Sequence, residues 1–306
     1  MGEYTISSGF TGLNNKVDPV RLSYDPKTGI GELAEAVDVD IDDTGRIVRR
    51  AGQTLLSSTS SHSVFCDEGD AFVVQDRASD AALYQISTGF TLTGIRSGLT
   101  KGERVSFCQV GSKTYYSSRY QNGVIESGVS VPWPVHEHVG PTTMREFYPA
   151  PLGAHIAYLD GRMWIVVDDT IYVSEMHQVG KFRLAARGFP FPSTVRMIKP
   201  VNGGMWVSDS EKTGFIRLAE KFEQMEWKEK ASFPAHEWSE NIELVDLSQT
   251  VFQVPGLSAV WSSDAGLCIG TEEGQLIVAT ESKLIYSTGA MGATVVSDNI
   301  AINSVY

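Results

Sequence analysis

The stretch that most constrains this chain is 33–52, LAEAVDVDIDDTGRIVRRAG. Ala36, Val37, Val39 and Ile41 lead into Asp42-Asp43-Thr44-Gly45, and Ile47 and Val48 lead out of it. Apolar and polar residues alternate on both sides of an Asp/Gly turn, which predicts two period-two strands joined as a β-hairpin. The same pattern recurs along the chain in other residues, and a chain built almost wholly of hairpins is confined to the all-β folds.

Five units repeat one grammar: a short strand, a tight turn rich in Gly or Asp, a very apolar strand, a second polar turn and another strand. They lie at 63–86, 104–126, 155–173, 195–218 and 258–280. Their starts fall roughly 40 to 60 residues apart, the spacing of propeller blades. Middle strands such as Trp164-Ile165-Val166-Val167 suit the buried positions of a blade. Trp164 and Trp206 hold matching places in their units and are expected in the core. The expected fold is an all-β β-propeller of about five to six blades, spanning 33–306. An irregular, extended arm over 1–32 precedes it, punctuated by Gly, Asn, Pro and Asp. Within 29–36 one short helical turn is expected, with Leu33 and Val37 on one face. Segment 220–230, with charge pairs at helical spacing, is expected as a long outer strand. Ring closure is expected to pair the 33–52 region with strands near the C-terminus.

Two segments interrupt the repeats and are expected as loops that decorate one face and meet partners. The first, 131–152, is rich in Pro and carries Trp133, His136 and His138; the second, 233–255, carries Trp238 and several acids. Arg46, Arg49 and Arg50 form a local basic cluster that a salt bridge to an acidic neighbour would use. These seven residues are the candidate subunit or partner contacts.

Composition narrows the function. Hydrophobic residues make up 42% of the 306 and charged residues 20%, enough for a sizeable core. The net charge of −12 repels phosphate backbones, so dedicated nucleic-acid binding is disfavoured, although DNA could slide past such a surface. No run is long enough for a membrane span, and no signal peptide is expected at the N-terminus. Cys66, Cys108 and Cys268 form no metal-type or redox-type pair and are expected as free, buried thiols.

Catalytic and metal motifs are weak. Asp40, Asp42 and Thr44 stand at the first, third and fifth positions of a calcium loop, with Gly45 at the sixth. Ala51 stands where the bidentate carboxylate is needed, and a hairpin turn accounts for the same residues. His136 and His138 share one side of an extended segment but lack an evident third ligand. The carboxylate pairs Asp168-Asp169, Glu272-Glu273 and Asp67-Glu68 sit in turn contexts rather than facing across a cleft. Neither a G-x-S-x-G elbow nor a phosphate-cradling loop is present. No catalytic residue, metal or cofactor is expected.

Five stretches carry a family resemblance: 14–22 with 35–52, then 160–175 with 189–208, and 256–280. Together they resemble the β-propeller tail nozzle (tail tubular or packaged-DNA-stabilising) proteins of short-tailed bacteriophages. The resemblance implies a non-enzymatic virion protein, made in the host cytoplasm, that forms a homo-hexameric ring below the portal. It implies contacts with adaptor, portal and tail fibre or spike proteins, and a lumen that conducts DNA during retention and ejection. The alternative is a stand-alone propeller that binds or hydrolyses carbohydrate.

Overall fold

The computed structural model describes residues 9–305 except 38, 42–44, 50–54, 56, 68, 136–145, 249–251, 281–283, 285–288, 290 and 298–299. The arm is not irregular throughout. β1 (Gly9–Leu13), β2 (Tyr24–Asp25) and β3 (Ile30–Leu33) form a small sheet in the order β1-β3-β2. β3 replaces the helical turn expected at 29–36. Asp25 accepts from the Lys27 amide and the Thr28 hydroxyl, closing a turn that ends at Gly29 with φ +72°. That left-handed residue turns the chain into a strand rather than onward into a helix.

The 33–52 hairpin is present as β4 (Val39–Ile41) and β5 (Ile47–Arg49), in register Val39 to Arg49 and Ile41 to Ile47. It pairs with no other strand among the described residues, so the expected pairing with the C-terminal strands is not made.

The blades begin at Ser61. The first sheet comprises β6 (Ser61–Asp67), β7 (Asp70–Asp76), β8 (Ala81–Ile86) and β9 (Leu92–Leu99). The second comprises β10 (Ser106–Val110), β11 (Lys113–Ser117), β12 (Asn122–Glu126) and β13 (Val129–Val131). The third has five strands, β14 (His155–Leu159), β15 (Arg162–Val167), β16 (Thr170–Glu175), β17 (Gln178–Phe182) and β18 (Gly188–Pro190), the last two both pairing β16. The fourth holds β19 (Val195–Val201), β20 (Gly204–Asp209), β21 (Thr213–Arg217) and β22 (Trp227–Ala231). The fifth holds β23 (Val245–Asp246), β24 (Leu257–Ser263), β25 (Gly266–Gly270) and β26 (Leu276–Val278). A two-stranded sheet follows, β27 (Gly292–Ser297) with β28 (Ile300–Val305).

Every pairing within these sheets is antiparallel. β6, β10, β14, β19, β24 and β27 pack side by side in that order. Residues of β6 and β27 line the same central cavity, which brings the ends of the series together. The chain is a β-propeller, and all five units read from the sequence are blades.

The core is divided into layers between neighbouring blades. Trp164, Val166 and Ile171 of the third blade pack on Met205 and Val207 of the fourth. Met197, Trp206 and Phe215 of the fourth pack on Trp261 and Cys268 of the fifth. Second strands are therefore apolar on both faces, and β20 is buried at every residue. Trp164 and Trp206 are fully buried, as their matching places suggest. The turn from β14 to β15 uses Asp160 at φ +51° and Gly161 at φ +69°, the left-handed pair of a tight hairpin.

Segment 220–230 divides in two. Phe222–Gln224 is a 3-10 turn and only Trp227–Ala231 is strand. Phe222 is buried with its ring 4.8 Å from that of Phe189, which curls the first half inward before the strand can start. Cys268 is buried and Cys108 partly so, but Cys66 is exposed, contrary to expectation: its place on β6 faces outward.

Candidate functional site

First strands surround the axis of a propeller, and their axis-facing side chains set its chemistry. Here they enclose a chamber of about 640 Å³. Val64 of β6, Ile242 and Val295 of β27 supply an apolar rim and remain 56%, 38% and 55% exposed. Deeper walls carry Cys108 of β10, Lys199 of β19 and Glu240.

Ile242 and Glu240 belong to the 233–255 insertion. This insertion does not decorate a face; part of it enters the axis and lies along β24. The amide of His236 donates to Ser262 O (2.9 Å) and that of Asn241 to Val260 O (2.8 Å). The Ser239 hydroxyl donates to Ser262 O and accepts from the Ser262 amide, both at 3.1 Å. β24 would otherwise present unpaired backbone to the chamber, a costly arrangement in a buried place.

Trp238 turns the inserted segment at φ +65°, an uncommon conformation for a bulky residue. Its ring stacks on His155 of β14 with centroids 4.0 Å apart. His155 is 1% exposed and lies between two carboxylates of the insertion. Glu240 Oε1 is 3.6 Å from Nδ1 and Glu237 Oε1 is 3.9 Å from Nε2. Both distances exceed hydrogen-bonding range, so these contacts strengthen only when the imidazole carries charge. Arg119 shares Glu237, with Nη2 3.4 Å from Oε1.

Lys199 donates from Nζ to the Ile242 carbonyl. Burial lowers its ammonium to about 8, with the nearby Glu240 charge opposing the fall. The Cys108 thiol, partly buried in the chamber wall, is pushed up to about 12 by the same burial. The chamber thus combines an apolar mouth with a few charged groups at depth, the build of a small-molecule pocket. Among the described residues, no group of three His, Cys, Asp or Glu side chains is placed to hold a metal ion.

A serine, a histidine and an aspartate do converge nearby. His236 Nδ1 is 3.1 Å from Ser262 Oγ, and Nε2 is 2.8 Å from Asp264 Oδ1. Ser262 is fully buried, so no substrate carbonyl can reach its hydroxyl. The trio instead fastens the insertion to β24. His236→Ala removes both side-chain hydrogen bonds and leaves a buried hydroxyl short of a partner, a cost of about 1–3 kcal/mol. The expected result is faster cleavage by a glutamate-specific protease at Glu237, Glu240 and Glu243 while the blades stay intact. Unchanged cleavage would show that the backbone ladder alone holds the segment.

The described contact candidates do not form one site. Trp238 is on the axis. Trp133 is 5% exposed and packs between blades, its ring 4.9 Å from that of Tyr115 and its Nε1 donating to Val179 O (3.0 Å). It is a core residue of this chain, not an open contact. Arg46 and Arg49 are exposed on the arm hairpin. Arg50, His136 and His138 lie outside the described residues, as do Asp42 and Thr44 of the calcium candidate and the side chain of Asp40. His155, Lys199 and the fastening at His236 escaped the sequence reading. Each depends on residues tens of positions apart, and no local spacing marks them.

No protein-family model matches the chain. No curated protein sequence is detectably similar to it. Solved structures with a similar course of chain include a protein from Lactobacillus plantarum, 13% identical, with 78% of this chain and 75% of that one covered at a TM-score of 0.48. A functionally unknown protein from Desulfotomaculum acetoxidans is 10% identical, with 80% and 79% covered at 0.42. AztD of Citrobacter koseri is also 10% identical, with 79% and 61% covered at 0.39.

Proposed function

We propose that this chain is a non-enzymatic structural protein of a short-tailed bacteriophage. In this reading it forms a homo-hexameric ring below the portal whose lumen conducts DNA and helps retain and eject it. The observation that carries the reading beyond the family resemblance is the arm together with the hairpin segment that precedes Ser61. Val20, Tyr24, Val37 and Leu55, all ahead of the first blade, are 93%, 55%, 67% and 80% exposed, apolar side chains that a lone subunit leaves in water. Such a surface marks a protein–protein contact. Two chemically different faces, arm and propeller, are what a head-to-tail ring requires. The net charge of −12 suits a lumen that DNA traverses without adhering. The inserted segment occupies part of the propeller axis, so DNA would run between copies and not through a propeller.

Electron microscopy with mass measurement, alone and with portal complex, tests the proposal. The expected result is a six-fold ring with an axial channel. A persistent monomer that ignores portal and tail components would overturn it. The second reading, carbohydrate binding or hydrolysis, is favoured by one feature: Asp67, Glu240 and Trp238 all line the chamber. His155 already covers one face of that tryptophan, which leaves less of it for a sugar.

A further inference from the structure

Two parts of this chain are each half of something. The sheet β27–β28 has two strands among the described residues, where the other blades have four or five. β27 lies on the axis beside β24, so the strands it lacks are the outer ones, and β28 (Ile300–Val305) presents an open edge. A free edge of six residues is a template for pairing with another strand.

The arm hairpin β4–β5 is the other half. It pairs with no third strand among the described residues. Ile47 and Val48 are 44% and 41% exposed, and neighbouring strand residues point to opposite faces. Both faces of β5 therefore stay partly open to water. An isolated two-stranded hairpin is marginal in water, and apolar residues on both faces are the mark of a strand buried between layers. The inner blade strands β15 and β20 have that character.

We propose that β4–β5 of one copy pairs edge-on with β28 of a neighbouring copy and completes its last blade as a four-stranded antiparallel sheet. The inference deepens the ring reading above and rests on it. Two antiparallel hairpins joined at an edge give the up-and-down order of the other blades. The contact joins two different surfaces of each copy, so it propagates head to tail and closes into a ring if the rotation allows. Eleven residues (50–60) link the hairpin to β6 and can reach about 36–40 Å when extended.

Cysteine cross-linking between two distinguishable tagged copies tests this, in a Cys66→Ser background. One copy carries Ile47→Cys, Val48→Cys or Arg49→Cys; the other carries Ala301→Cys, Ile302→Cys or Asn303→Cys. Under mild oxidation the expected result is a disulfide between the two tags, at least tenfold above a control pairing of Val48→Cys with Leu152→Cys. Copies bearing both cysteines should link into closed multimers. Disulfides formed only within one chain would overturn the exchange in favour of closure in cis. A ring that persists without any link would overturn it while leaving the ring reading standing. Linked assemblies that lack six-fold order and ignore portal would do the reverse. A hairpin deletion (residues 38–50) supplies a second measurement. Amide exchange should show β28 losing protection while the first four blades keep theirs; unchanged β28 protection would overturn the proposal.

Discussion

Gly270→Val is expected to destabilise the protein by roughly 3–5 kcal/mol, measured by urea unfolding. Gly270 ends β25, where Trp206 of the fourth blade and Trp261 of the fifth converge with ring centroids 5.3 Å apart. A Cβ at this position would stand 2.5 Å from Trp206 Cε2 and Nε1 and 2.7 Å from Trp261 Cζ3. Both rings are fully buried, so neither has space to retreat. Trp206 Nε1 also donates to the Thr271 carbonyl at 3.1 Å, one residue beyond the glycine. Pushing the indole aside breaks that bond and leaves a buried N–H without a partner, about 1–3 kcal/mol beyond the steric cost. Trp206→Ala alone should cost about 3–5 kcal/mol through the cavity it leaves. The double variant should cost clearly less than the sum of the two, because the valine then occupies part of the space the indole leaves. Strict additivity would mean that Gly270 is not held small by the tryptophan.

That site also marks the limit of sequence reading here. The blades were legible because a hairpin is local: Asp160-Gly161 marks its turn, and the Trp-Ile-Val-Val run that follows marks a strand covered on both sides. The apolar run around Trp206 could be assigned to the core, but not the glycine it rests on, which lies 64 positions away in another blade. The arm was misread for the same reason. Its parallel pair β1–β3 joins segments about twenty residues apart, and dense Gly, Pro and Asp between them hides short strands. The insertion at 233–255 was recognised as an insertion, but its entry into the axis depends on β24 having an edge to fill. Nothing in the segment itself signals that edge. Ring closure reads as one pairing in the sequence, whereas among the described residues β4–β5 and β27–β28 make no pairing with each other.

Buried lysine and cysteine side chains predict an unusual alkaline profile, because the two kinds of group pull in opposite directions. Lys199 falls from an ordinary 10.5 to about 8 in the fold. Between those values the unfolded chain holds a proton that the folded chain has lost, so stability rises with pH, by at most about 1.4 kcal/mol per unit. The Cys108 and Cys268 thiols rise from 9.0 to about 12 and about 11. Above pH 9 the unfolded chain loses two protons that the fold retains, and stability falls at up to about 2.8 kcal/mol per unit from these two groups. Burial raises Tyr115 as well, which steepens the fall beyond pH 10. Stability should therefore peak between pH 8 and 9 and drop by roughly 2 kcal/mol by pH 10.5, under reducing conditions. Lys199→Met should abolish the rise between pH 8 and 9, since an uncharged side chain of similar length has no proton to lose. Cys108→Ala should remove about half of the early alkaline fall and leave the rise intact. Urea unfolding at half-unit steps from pH 7 to 10.5 reads both slopes. A wild-type curve that kept climbing past pH 9.5 would mean that the thiols are not held protonated, and hence that water reaches both the chamber wall at Cys108 and the blade core at Cys268.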